Sequence, residues 1–169
     1  MNSITNIEYL TLVRDILNNE NFSQIENIKH HNSNRLEHSL KVSYIAYKIS
    51  KKLKLDYISV ARAGLLHDFY LDRTKDYKNF YKKIKLFANS HPKDAVYNAS
   101  LYFDLNDKEI DIILTHMFPL NLQVPKYLES WIINMTDSVI SIYEFGHKFK
   151  YEFSYAVNVY AFFLINMIK

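Results

Sequence analysis

Four histidines and two aspartates follow one another along this 169-residue chain in the order His38, His67, Asp68, His91, His116 and Asp137. Read at helical spacing, each lies on or beside an apolar face. Imidazoles and carboxylates are costly in an apolar interior unless something compensates them, and one bound metal ion compensates several at once. The chain has no cysteine, so a metal here must take nitrogen and oxygen ligands. Each residue alone also has a plain structural reading. His38 suits a hydrogen-bonded core histidine, and Asp68 a long-range ion pair. Several separate helices each offering such a side chain from an apolar face argue instead for convergence.

The elements that would position these residues are helical. Apolar residues recur at three- and four-residue spacing, which predicts helices over about 5–19, 22–30, 33–54, 56–71, 75–88, 92–104, 107–117, 125–146 and 150–168. Asn32 or Ser33 is placed to cap the third of these, Asp56 the fourth and Asn106 the seventh. Pro92 and Pro125 suit first-turn positions. On the third helix the predicted buried stripe is Val42, Ile45, Ile49 and Leu53, with His38 one turn earlier. Arg35 and Lys41 flank His38 at i−3 and i+3.

On the fourth helix, Ala61, Gly64 and Asp68 fall at i, i+3 and i+7. Glycine in a helix interior costs about 1 kcal/mol relative to alanine, so Gly64 one turn before the acid predicts a close approach by another helix. His116 follows Ile112 and Ile113, Asp137 lies between Ile133 and Ile140, and His91 precedes Pro92 at a predicted helix start. His30, His31 and His147 fall at predicted helix ends, where a cation meets the helix dipole favourably. They read as structural or surface residues.

Composition excludes several classes. Two glycines and three prolines argue against phosphate-binding glycine loops and against a sandwich rich in tight turns. A net charge of +3 is too mild to imply specific nucleic-acid binding. The N-terminus lacks the pattern of a signal peptide, and the apolar run Val157–Ile168 is short and holds two asparagines, so it reads as a core helix. A cytoplasmic protein with no membrane role is expected. The segment 72–90 carries six basic residues (Arg73, Lys75, Lys78, Lys82, Lys83, Lys85) among interleaved aromatics. It reads as a solvated basic helix face, or as a lid that attracts phosphate.

The segments RLEHSLKV (35–42) and GLLHDF (64–69), with the later Asp137, resemble the H…HD…D signature of the HD-domain superfamily. The likeness spans roughly 33–140 and implies an all-α, compact helical bundle forming a single domain over 1–169. The additional histidines in SHPKDA (90–95) and THMFPL (115–120) resemble the branch that binds two metals. By that resemblance His38, His67, Asp68 and Asp137 hold one ion, His91 and His116 help hold a second, and Asp68 bridges them. The donor set suits Fe, Mn, Co, Ni or Zn better than Mg. One departure is plain: many dinuclear members carry a lysine four residues after the motif histidine, where this chain has Leu71.

The resemblance implies a metal-dependent phosphohydrolase that cleaves a phosphoester or phosphoanhydride, of a nucleotide or dinucleotide, with an activated hydroxide. Asp68 would orient the nucleophile, and Arg35, Lys41 and Arg73 would meet substrate phosphate, with Arg35 also assisting catalysis. The partner expected is thus a small phosphorylated molecule, with a homo-oligomer left open. Two other readings use the same scaffold: a di-iron oxygenase of the HD type, and a non-catalytic ligand-binding module.

Overall fold

Helix caps and apolar spacing both reappear in the folded chain, with shifts that matter for the site. The computed structural model describes residues 4–30, 33–70 and 80–146. Among these the architecture is all-α, apart from one pair of two-residue strands. The helices are α1 (Ile7–Leu12), α2 (Arg14–Leu17), α3 (Glu20–Ser23), α4 (Arg35–Lys52), α5 (Tyr57–Leu66), α6 (Phe80–Tyr102) and α7 (Asp107–Thr115). An eighth, α8, runs over 128–146. No helix among the described residues is long and apolar enough to cross a membrane. Arg73, the rest of the basic run, Leu71, His31, His147 and the run 150–168 lie outside the described residues or their described side chains.

The predicted helix over 22–30 stops early. A 3-10 turn covers Gln24–Asn27, and Lys29–His30 then pairs antiparallel with Ser33–Asn34. The cause is the cap of α4. It falls on Asn34, whose side chain accepts the Glu37 N–H at 2.8 Å, so the residues before it run extended rather than helical. His30 therefore sits in a strand, not at a helix end. Asp56 and Asn106 cap α5 and α7 as their spacing predicts. Asn106 and Glu109 form a reciprocal capping box, and Glu109 also receives Arg62 at 3.1 Å.

α5 is largely buried and packs between neighbouring helices. Val60, Ala61, Ala63, Gly64, Leu65 and Leu66 are all enclosed, with α4 along one side and α7 on another. The buried face of α4 is offset from the predicted stripe. Val42 is buried, but Ile45, Ile49 and Leu53 are exposed, while Ser39, Ser43, Ala46 and Ser50 face inward. Gly64 explains this. A Cβ built on it would lie 2.8 Å from the Ser43 Cα and 2.9 Å from Ile133 Cδ1, so the α4 and α5 backbones meet where only small residues fit. Ser43 satisfies its hydroxyl there, donating to the Ala61 carbonyl at 2.6 Å while Tyr9 Oη donates to it at 2.8 Å.

Pro92 lies inside α6, not at a helix start: the predicted helices 75–88 and 92–104 are one element among the described residues. A proline in a helix interior removes a backbone bond and costs about 3 kcal/mol. Burial of His91, Pro92, Ala95 and Ala99 along one face offsets that cost. Pro125 precedes α8 by three residues. The connection there is held by Asp111, whose Oδ2 accepts Lys126 N–H at 3.0 Å and Ser130 Oγ–H at 2.7 Å.

Candidate metal centre

The two helices that end at the site end in the same way. α5 stops at Leu66 and α7 at Thr115, and the C-cap residues are His67 and His116. Both helices are shorter than their spacing predicts. The His67–Asp68 pair consequently stands just beyond α5, not within a helix reaching residue 71. The last turn of a helix leaves carbonyls without an intrahelical partner. His67 fills that role with its ring, donating Nδ1–H to the Gly64 carbonyl at 2.8 Å, and His116 does so to the Ile113 carbonyl at 2.7 Å. Each bond fixes the proton on Nδ1 and leaves a lone pair on Nε2.

Those lone pairs face a common centre. His67 Nε2 lies 3.8 Å from Asp68 Oδ2 and 3.8 Å from Asp137 Oδ1. His116 Nε2 lies 3.7 Å from Asp68 Oδ1 and 2.9 Å from His91 Nε2, which in turn is 3.6 Å from Asp68 Oδ1. His38, on α4, places Nε2 at 2.9 Å from Asp137 Oδ1 and Nδ1 at 3.1 Å from Glu144 Oε2. Ser141 donates to Asp137 Oδ1 at 3.2 Å. All six candidate ligands are buried. They form three overlapping groups whose donor atoms lie within 4.8 Å of one another: His38, His67 and Asp68; His67, His116 and Asp137; Asp68, His91 and His116.

The donor set fits a cation. His67 Nε2 is buried with no hydrogen-bond partner among the described residues, and its lone pair is directed among carboxylate oxygens. A lone pair facing anionic oxygens is repulsive unless positive charge lies between them. The protonation pattern is polarised accordingly. Burial alone would lower the pKa of His38, but its bonds to Asp137 and Glu144 outweigh burial and hold it up at about 10. Burial pushes His116 below the ordinary imidazole value. Burial would raise Asp137 and Glu144. The His38 contact reverses this for both, with Lys41 adding to the effect at Glu144, which falls to about 2.

Four of the six candidate ligands, Asp68, His91, His116 and Asp137, open onto a cavity of about 330 Å³, with His38 and His67 enclosed behind them. Its remaining wall among the described residues is Tyr70, Met117, Leu120, Ser138, Ser141 and Ile142. Arg35 and Lys41, expected at substrate phosphate, do not line it. The Arg35 guanidinium is buried 3.8 Å over the Tyr70 ring and donates to the Tyr70 carbonyl, so it holds a wall residue from behind. Lys41 is turned toward Glu144 Oε1 at 2.8 Å. The departure arises because the first turns of α4 pack under residues 68–70 and α8, a juxtaposition that helical phase within α4 does not specify.

Two residues that spacing did not single out belong to the site. Glu144 stands seven residues after Asp137, with Ser141 between them at i+4, so the three share a face of α8. That spacing is the signal by which Glu144 could have been found. Asn134 donates Nδ2–H to the carbonyls of His116 and Phe118 at 2.7 Å each, fixing the segment that carries His116. No periodicity marks it.

A family model for the HD domain matches residues 35–142, about two thirds of the chain, from the first turn of α4 to the second half of α8. Comparison with curated proteins and with solved structures returned no match.

Proposed function

The chain belongs to the HD domain family, and on that premise we propose that it is a metal-dependent phosphohydrolase acting on a nucleotide or a similar small phosphate ester. The observation that carries the reading is the orphaned Nε2 of His67, aimed among two carboxylates and three further imidazoles beside an open cavity. His38, His67, Asp68 and Asp137 would hold one divalent ion. Asp68, His91 and His116 would hold a second. Fe, Mn, Co, Ni and Zn all suit these donors. When bound, such ions supply Lewis acidity, which acidifies water and neutralises charge on a phosphoryl group.

The chain's own residues do the rest. Asp68 lies 3.8 Å from His67 Nε2, 3.6 Å from His91 Nε2 and 3.7 Å from His116 Nε2, so it would couple the two histidine groups and present an acceptor at the cavity floor for a water proton. The Nδ1 bonds of His67 and His116 keep their rings fixed, so no reorganisation is needed when a substrate arrives. Tyr70, backed by Arg35, and the side chains of Met117, Leu120 and Ile142 offer apolar surface for a base, while the Ser138 hydroxyl lies on the same wall.

The test is metal analysis of protein purified without a chelating column, followed by anaerobic hydrolysis assays on activated phosphoesters and a nucleotide panel. Metal content near one or two equivalents with anaerobic turnover is expected, and Asp68→Ala should abolish turnover while the protein stays helical. Full activity in Asp68→Ala would overturn the reading. Turnover that requires O₂ would transfer the chain to oxygenase chemistry.

A further inference from the structure

We propose that Glu144 is a positioning residue for the metal centre, holding His38 in the one tautomer and orientation that can bind metal. This rests on the metal-centre reading and adds to it a residue on α8 with a defined task. His38 is fully enclosed and lies between two carboxylates of α8 set two turns apart: Asp137 at its Nε2 and Glu144 at its Nδ1. Each carboxylate attracts a ring proton. To bind metal the ring must release one of its two protons, and which one leaves decides which nitrogen offers a lone pair.

With Asp137 alone, the proton would be drawn to Nε2, the atom that faces His67 and the rest of the cluster, and His38 could not serve as a ligand there. Glu144 opposes that bias by accepting Nδ1–H at 3.1 Å. Its other oxygen is engaged by Lys41 Nζ at 2.8 Å, so the carboxylate cannot swing away without giving up an ion pair. Glu144 is buried while the Lys41 side chain is 36% exposed, so the chain Lys41–Glu144–His38–Asp137 runs from the protein surface to the cluster. The other two histidines with a fixed tautomer obtain it from backbone carbonyls at helix ends. His38 lies near the start of an 18-residue helix, where the backbone carbonyls are already engaged, so a side chain from another helix must do the same work. That difference accounts for a buried glutamate at this position.

Outer partners of this kind change metal affinity by about 10- to 100-fold when removed. The experiment titrates Co²⁺ alone into the full-length, chelator-treated chain, reading affinity by calorimetry and coordination by the visible absorption bands. Asp68→Ala serves as a ligand-loss control. Glu144→Ala should bind Co²⁺ about 10- to 100-fold more weakly, with altered bands, and Glu144→Gln, which keeps an acceptor, should recover most of the affinity. Wild-type affinity and unchanged bands in Glu144→Ala would overturn the proposal, whatever happens to its thermal stability. ¹⁵N shifts of His38 in the unsubstituted protein loaded with Zn²⁺ supply a test that needs no variant: a proton on Nδ1 is expected, and a proton on Nε2 overturns the role. A wild-type chain that takes up no metal refutes the metal centre itself, a different outcome from the failure of Glu144.

Discussion

Adding a single methyl group at Gly64 tests the link between helix packing and the site. In Gly64→Ala the new Cβ would meet the Ser43 Cα at 2.8 Å, Ile133 Cδ1 at 2.9 Å and the Ser43 Cβ at 3.1 Å. The isoleucine methyl can rotate aside. The Ser43 Cα cannot, because it is the backbone of α4, so α4 and α5 must separate by several tenths of an ångström. Alanine gains about 1 kcal/mol of helix propensity over glycine. Overpacking costs about 1–3 kcal/mol. Separation also strains the Tyr9–Ser43–Ala61 hydrogen bonds that tie α1, α4 and α5, each worth about 1 kcal/mol. The net expectation is a loss of about 1–3 kcal/mol, a fall in Tm of about 3–10 °C for a chain of this size.

Scanning calorimetry measures the stability change. Metal titration supplies a second readout, because the Gly64 carbonyl holds the His67 ring and should carry it out of line. Gly146→Ala is the control. Among the described residues a Cβ there meets nothing within 4 Å, so helix propensity acts without a clash and a gain of up to about 1 kcal/mol is expected. A Gly64→Ala protein as stable as wild type, or more so, would refute the close-approach argument, since the propensity gain would then be unopposed.

Two further outcomes follow from contacts around the site and core. Asn134→Ala leaves the His116 and Phe118 carbonyls without their 2.7 Å donor, and should cost about 2–3 kcal/mol in denaturant unfolding and weaken metal binding; unchanged values for both would refute its positioning role. Tyr9 titrates at about 12 in the folded chain because burial opposes its ionisation, against about 10 when unfolded. A raised pKa means that this stability is fully present below pH 10 and is lost as pH rises through about 12. The loss amounts to roughly 2–3 kcal/mol. Tyr9→Phe should flatten that part of the stability–pH curve, and an identical slope in the variant would show that other groups produce it.

Much of the site was legible before folding because its chemistry is carried by residue type. Buried histidines and aspartates without cysteines point to a nitrogen–oxygen metal centre wherever they meet, and Gly64 announces a close contact because glycine is otherwise wasted in a helix. The caps at Asp56 and Asn106 are local, formed within three residues, and so were readable from spacing. The limits of α5 and α7 were less so. Both end early because a histidine ring takes up a carbonyl of the last turn, and apolar periodicity continues past that point without registering it.

The sequence by itself determined that the chain is helical, which side chains carry chemistry, and where two helices must touch. Tertiary structure alone decided which face of α4 turns inward. Hydrophobicity favours Ile45, Ile49 and Leu53, but the distance between α4 and α5 at Gly64 admits only Ser43 and its small neighbours, so steric fit overrides apolar preference. It also decided that Arg35 backs Tyr70, that Lys41 pairs with Glu144, and that Glu144 reaches His38. Those pairings join residues as many as 106 positions apart. Helical periodicity orients a side chain about its own axis but does not state what the neighbouring helix presents to it, and that second fact is what builds the site.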